Sequence, residues 1–406
     1  MPLNKLEEVV RESLNELEEK GTLKGEELVI TGVKGGEEGA PRYKVAGREG
    51  EFLKMNSNSY LGLHLHEDVI AAEEKSSERF GTGPGAVRFI HGTYGPHVEL
   101  EEKLADFNDR EGCIIYSSAY AAMCGLLQPL TSRETLILSD ELNHNCIING
   151  IRMARPKDKD IYPHLDMEVL EDKLEGAVGE FERVMIVTDG VFSMRGDYPD
   201  LPRLVGLAEK YDERFSEGVF TVMDDSHGIG AYGETGRGTA EVTEEAGVDI
   251  IVSTMGKALG VNGGYIVTSQ PIVDYLRETS PFYIYSNPIT APEAQAAIKS
   301  LEILEGEEGR KILAHLREMT NYFERGLEER GQEIIRGEHP IVPLMVRDTE
   351  KTRAMVDYLE ENEILATAIV YPVVPEGDES IRFQISANHT KKDLDYVLKT
   401  IDSFGQ

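Results

Sequence analysis

The sequence predicts an α/β protein: a large domain on a mostly parallel sheet covered on both faces, then a smaller C-terminal α/β domain. Three observations predict it. From residue 113 onward, short runs rich in β-branched residues alternate with helix-length segments. These runs are apolar throughout, as in strands buried on both faces. Each opens into polar or glycine-rich sequence, and ligands of parallel sheets bind at the carboxyl ends of strands.

Taken in order, MPLNKLEEVVRESLNELEEKG reads as an amphipathic helix with Leu6, Val9, Val10, Leu14 and Leu17 on one face. It is too acidic for a signal or transit peptide. ELVITGV, RYKVAG and EFLKM lie between glycines and read as short strands. Residues 1–55 are expected to pack on the small domain. Next comes NSNSYLGL, Asn56 to Leu63, either a plain turn or a loop with a task. Phe80 to Gly95 (FGTGPGAVRFIHGTYG) is glycine-rich. It has no Gly-Lys-Ser/Thr and no strand-turn-helix context, so it is not a phosphate or dinucleotide loop. A loop that needs positive φ angles fits better. A helix, Pro96 to Asn108, follows.

The alternating part then begins. CIIYSS leads to a helix from Tyr120. TLILSD leads to Asn143-His144-Asn145 and the helix IINGIRMA. RVMIVTDG leads to VFSMRGDYPDLP and the helix LVGLAEKYD. VFTVMDDSHG leads to GIGAYGETGRG, and DIIVST leads to Lys257, a glycine cluster and GYIV. This large domain is assigned to residues 56–290. Residues 291–406 form the small domain. It opens on a long helix from Glu293 to about Arg330, broken near Gly306 to Gly309. IVPLMV, a helix over Lys351 to Glu361, ATAIVYPVV, SIRFQIS and a closing helix from Lys391 complete it.

The 406 residues, 40% apolar and 29% charged, are globular in composition and long enough for two domains. No apolar run is long enough to span a membrane. A net charge of −32 would repel nucleic acid. Cys113, Cys124 and Cys146 show neither metal spacing nor a disulfide framework, so reduced core thiols in a cytoplasmic protein are expected. His64 and His66 alternate without a third ligand, and no metal site is expected.

Lys257 sits between two buried runs, where a lysine costs desolvation free energy unless something uses it. Alone it reads as a surface lysine on a turn. Asp224-Asp225-Ser226-His227, at the end of an earlier strand, changes that reading, because enzymes hold pyridoxal phosphate (PLP) with such a pairing. PLP chemistry asks for a Schiff-base lysine, a carboxylate for the ring nitrogen, donors for the phosphate and a group for the substrate carboxylate. Lys257 and Asp224 are candidates for the first two, and His227 for the ring hydroxyl. Backbone N–H groups at Ser118-Ala119-Tyr120 open a helix where an anion is favoured, with Thr254 assisting. A Ser-Ser helix cap explains the same stretch. His144 either stacks on the ring or caps the next helix. Arg382, inside a strand, is an edge residue with its head in water or a carboxylate clamp.

With these residues assembled, the chain resembles the α-oxoamine synthases, which condense an amino acid with an acyl-CoA. The motifs are NSNSYLGL, VRFIHGT, YSSAYAA, SDELNHNCIINGIR, TDGVFSMRGD, DDSHGIGAYGETGRG, TMGKALG, YIYSNPITAP and SIRFQISANHT. Within that family, AVRFIHGT, DGVFSMRGD, Ser286-Asn287 and YPVVPEG look most like glycine C-acetyltransferase. The resemblance implies a fold-type I PLP-dependent transferase with a seven-stranded sheet. It implies Lys257 as the cofactor lysine, Asp224 at the pyridinium, His227 near the ring oxygen and the thioester, and His144 stacked on the ring. Ser193 would approach the ring hydroxyl, and Asn58 and Arg382 would bind the amino-acid carboxylate. Ser286 and Asn287 would reach the phosphate of a neighbouring subunit's cofactor, which implies a homodimer. The implied reaction joins glycine and acetyl-CoA into 2-amino-3-oxobutanoate. The alternatives are sister synthases making 8-amino-7-oxononanoate, 5-aminolaevulinate or a sphingoid-base precursor, and a non-catalytic subunit, which typically lacks the lysine. Ser59, Pro84 and Asn388 depart from the family's usual residues, as does the close glycine spacing after Lys257.

Overall fold

The computed structural model describes residues 3–405 except 21, 24–26, 36–38, 246, 338 and 372. The central sheet has seven strands: β4 (Gly112–Tyr116), β5 (Thr135–Asp140), β6 (Asp158–Tyr162), β7 (Arg183–Asp189), β8 (Val219–Asp224), β9 (Ile250–Thr254) and β10 (Gly264–Thr268). Their order is β4-β10-β9-β8-β7-β5-β6, and only β10 runs against its neighbours. Successive residues of one strand feed opposite cores. Ile250 and Val252 join one apolar cluster, and Ile251 between them joins another. Five of the seven strands therefore read as unbroken apolar runs. The strand missing from the sequence reading is β6, DKDIY. It lies at the edge with four of its five residues exposed, so it carries no apolar signal.

Helices follow the strands. Ala119–Leu130 comes after β4, Asn145–Ala154 after β5 and Leu201–Asp212 after β7. The long helix expected from Glu293 is two helices, Ala291–Glu305 and Glu307–Glu328, parted at Gly306. The C-terminal part holds an antiparallel sheet of β11 (Ile341–Met345), β14 (Ser380–Gln384) and β13 (Thr367–Ile369), in that order. Arg382 is thus on a central strand, not an edge. Pro372 of YPVVPEG lies outside the described residues.

The N-terminal strands β1 (Ile30–Lys34), β2 (Arg42–Val45) and β3 (Phe52–Lys54) form a sheet with β12 (Ile364–Leu365), to which β3 is parallel. The helix Asn4–Glu19 buries no residue, and Leu6, Val9, Val10, Leu14 and Leu17 are each 42–58% exposed. The glycine-rich loop is conformationally demanding as expected. His91 has φ +61°, and Gly81 and Gly85 also have positive φ. No helix among the described residues is long and apolar enough to cross a membrane.

Candidate active site

The carboxyl ends of β7 and β8 put two carboxylates side by side, because Asp189 and Asp224 are register partners. Asp224 Oδ1 accepts the Ser226 N–H at 3.1 Å, and Oδ2 accepts the Cys146 thiol at 3.3 Å. Asp189 Oδ2 accepts the His144 N–H at 3.1 Å. Its Oδ1 is buried with no hydrogen-bond partner. Burial and the adjacent Asp224 push the Asp189 carboxyl well above the usual range, against the pull of Lys257.

Lys257 follows β9. Burial lowers its amine to about 8, although Asp224 and Asp189 favour the charged form. An amine near that value takes and gives protons at neutral pH. The glycines after it have packing reasons. A Cβ on Gly260, at φ +72°, would lie 2.5 Å from the His64 backbone nitrogen.

The helix Ala119–Leu130 opens onto the same space. Ser118 caps it by accepting the Ala121 N–H at 3.1 Å. The cap leaves the earlier N–H groups of Ala119 and Tyr120 open to an anion, so it does not rule out an anion site. Gly264 makes this fit possible, since a Cβ there would stand 2.1 Å from the Ala119 nitrogen. Thr254 lines the space, but its hydroxyl donates to the Gly263 carbonyl and accepts from Gly256 N–H. His144 takes the capping role foreseen for it. It caps the helix Asn145–Ala154 by accepting the Cys146 N–H, and its ring borders the cavity.

His227 is buried, and its imidazole is held well below its ordinary pKa by burial and then by Lys257. Its Nδ1 lies 2.7 Å from the Tyr60 hydroxyl. Burial raises the Tyr60 phenol far above neutrality, so the hydroxyl keeps its proton; it faces both Nδ1 and Asn58 Oδ1, and which of them receives that proton depends on the His227 tautomer. The His227 carbonyl accepts from His339 Nε2 at 2.9 Å, while His339 Nδ1 accepts the Ile341 N–H. Asp225 faces away into a cage where Cβ atoms on Gly190, Gly228 and Gly238 would come within 2.1–2.3 Å of its carboxylate. Thr239 donates to it twice, from N and Oγ1.

Nine expected residues, Lys257, Asp224, His227, His144, Ser118, Ala119, Tyr120, Ser193 and Thr254, line one cavity of about 230 Å³. Two more lie just behind it. Arg382 Nη1 donates to the Ser193 carbonyl at 2.8 Å, and Asn58 Oδ1 accepts from Tyr60 at 3.4 Å. The Arg382 Nε is buried without a partner. Ser286 and Asn287 are not at this cavity. Their recorded hydrogen bond is between themselves, at 3.5 Å. His64 and His66 share no site, because His66 caps the next helix and contacts Glu308. Sequence reasoning missed Asp189, Cys146, Tyr60 and His339. Asp189 stands at a strand end as Asp224 does, and that signal was available. His339 carries none.

Comparison with known proteins decides the family. Residues 50–401 match the family described as aminotransferase class I and II. The chain is 40% identical over 358 residues to an 8-amino-7-oxononanoate synthase of Petrotoga mobilis, covering 87% of this chain and 88% of that one. The chain belongs to the aminotransferase class I and II family, on its α-oxoamine synthase branch. It is also 38% identical over 406 residues to human mitochondrial 2-amino-3-ketobutyrate coenzyme A ligase, covering 100% and 93%. Among solved structures, Sphingomonas wittichii serine palmitoyltransferase superposes with TM-score 0.88 at 26% identity, covering 99% and 97%. A serine palmitoyltransferase holding PLP as an internal aldimine gives 0.87 at 25%. This α-oxoamine synthase is therefore a fold-type I, PLP-dependent acyltransferase. Its cavity suits that cofactor: an enclosed lysine, paired carboxylates including an orphaned oxygen, and a helix N-terminus with free donors.

Proposed function

We propose that the protein condenses glycine with acetyl-CoA, releasing CoA and 2-amino-3-oxobutanoate, as a glycine C-acetyltransferase. The observation that carries this reading is the small cavity at Lys257, about 230 Å³, which leaves little room for an amino-acid side chain beyond the cofactor. The end-to-end match to human 2-amino-3-ketobutyrate coenzyme A ligase supports it.

PLP supplies an electron sink for the pair left on the amino-acid Cα. The protein's residues do the rest. Asp224 keeps the ring nitrogen protonated, with His144 against the ring face. The N–H groups of Ala119 and Tyr120, with the Ser118 hydroxyl, would hold the phosphate, and Ser193 would approach the ring hydroxyl; Thr254 would join them only by giving up its bond to the Gly263 carbonyl. Arg382 and Asn58 hold the substrate carboxylate. Lys257 takes the Cα proton, and its lowered basicity suits an amine that must later give that proton back. His227, in the tautomer that carries its proton on Nε2, would donate to the thioester oxygen. Ser286 and Asn287 serve the cofactor phosphate of a second copy of the chain, which makes the active unit a homodimer. The exposed apolar face of the N-terminal helix is consistent with burial against that copy.

A second reading has its own observation. A cavity of about 440 Å³ that includes Ser193 has an apolar side of Phe192, Met194, Ile335, Met345, Val373 and Val374, and charged groups of Glu141, Arg195 and Asp378 at its edge. It would accommodate a longer acyl chain, as in a synthase of 8-amino-7-oxononanoate, the activity named for several relatives. Release of CoA, followed with acetyl-CoA and longer acyl-CoAs against glycine, alanine and serine, separates the two. Preference for a long acyl-CoA with alanine would overturn the acetyltransferase reading.

A further inference from the structure

Cys146 is a buried thiol to which the chemistry above gives no task. It sits in the first turn of the helix Asn145–Ala154, 1% exposed. Two polar atoms of the cofactor site meet its sulfur: His144 Nδ1 at 3.0 Å and Asp224 Oδ2 at 3.3 Å. Nδ1 already accepts the Cys146 backbone N–H, so it is the unprotonated nitrogen of a neutral ring. Both sulfur neighbours are therefore acceptors, and the single thiol proton is shared between them.

We propose that Cys146 is a positioning residue. Its S–H links the histidine against the ring face to the carboxylate at the ring nitrogen, and it sets how much negative charge Asp224 presents to the ring. The inference rests on the roles given above to His144 and Asp224, but not on the identity of either substrate.

The surroundings keep the thiol a donor. Burial, then Asp224 and Asp189, raise it far above the range in which a thiolate forms. The charged and titratable groups facing it are Asp224 from β8, Asp189 from β7, Lys257 after β9, His144 on its own helix and Cys124 on Ala119–Leu130. Lys257 is the only cation among them. A thiolate here would add a third negative charge to two adjacent carboxylates. The other Asp224 oxygen is fixed by Ser226 N–H, so the thiol is the one side-chain donor that adjusts this carboxylate among the described residues. A donor to a carboxylate withdraws part of its charge. Without it, Asp224 presents more negative charge to the ring, and a protonated cationic group on the bound cofactor is stabilised.

The test uses PLP-loaded full-length protein and needs no acyl-CoA. The visible absorbance of the cofactor bonded to Lys257 is titrated with pH in wild type, Cys146→Ala and Cys146→Ser. The midpoint is expected to rise in Cys146→Ala by about half a unit to one unit, the scale of one lost hydrogen bond to a charged group. Cys146→Ser, which retains a donor, is expected at or below the wild-type midpoint. Cys146→Val fills the thiol volume without a donor, and it replaces the alanine variant if that one loses the cofactor. A merely structural role would lower the melting temperature and leave the midpoint alone. An unmoved midpoint in the donor-less variant, or an equal shift in the serine variant, overturns the proposal. Loss of acyltransfer with any substrate would sink the functional reading and leave this titration interpretable.

Discussion

At the residue scale, the site works by controlling where protons sit. In the proposed reaction Lys257 carries the proton, and a Lys257→Ala variant is expected to show no visible absorbance that borohydride bleaches and no CoA release. Turnover in that variant would remove Lys257 from the chemistry. Tyr60 has a subtler part, since its hydroxyl holds the His227 ring through a 2.7 Å contact to Nδ1. Tyr60→Phe removes that hydrogen-bond partner of Nδ1 and frees the ring to turn. Its kcat is expected to fall about 10- to 100-fold, the scale of positioned acid–base catalysis, with cofactor binding and melting temperature little changed. A rate within twofold of wild type would show that the contact does not govern His227.

At the element scale, the phosphate end depends on how closely β10 approaches the helix Ala119–Leu130. Gly264 is the contact, and any side chain there runs into the Ala119 backbone. Gly264→Ala is expected to push the helix start away and weaken PLP affinity about tenfold or more, equivalent to at least 1.4 kcal/mol. Equilibrium dialysis against PLP checks it, and unchanged affinity would place the phosphate elsewhere. This contact was invisible in the sequence, because it joins residues 145 positions apart. The strands carrying Asp224 and Lys257 were readable, since burial on both faces leaves an apolar run that ends where the chemistry begins. β6 was not readable, because an edge strand with an exposed face has no such run. The glycines around Asp225 read as a loop signal. Their use as walls of a carboxylate cage needed coordinates. Cys146 looked like a core thiol, and only the third dimension sets it against Asp224.

At the scale of the whole molecule, a chain of ion pairs links Asp140, at the end of β5, to Asp378 and Arg347 in the C-terminal part. His164 lies between Asp140 at 3.0 Å and Asp197 at 3.3 Å. Arg195 continues from Asp197 to Asp378, which Arg347 also meets. Burial alone would lower the His164 pKa, but the hydrogen bonds it donates to both aspartates prevail and raise it to about 9. A histidine with a folded value above its unfolded 6.5 stabilises the fold fully below pH 6.5, and that contribution is lost as pH rises through about 9. The loss is on the order of 2–3 kcal/mol. Thermal melts of wild type are expected to fall over that window, and those of His164→Gln to start lower and stay flat. Parallel curves would mean that His164 is not charged in the fold. The active unit is expected to be a homodimer in solution, and light scattering reports it. A fully active monomer would contradict the role given to Ser286 and Asn287. The central claim is that the Lys257 cavity joins glycine to the acyl group of acetyl-CoA, and thiol release from acyl-CoA by the PLP-loaded enzyme measures it most directly. The account predicts CoA release that requires both glycine and acetyl-CoA and disappears in Lys257→Ala; release without an amino acid, no release with any acyl-CoA, or release undiminished in that variant would contradict it.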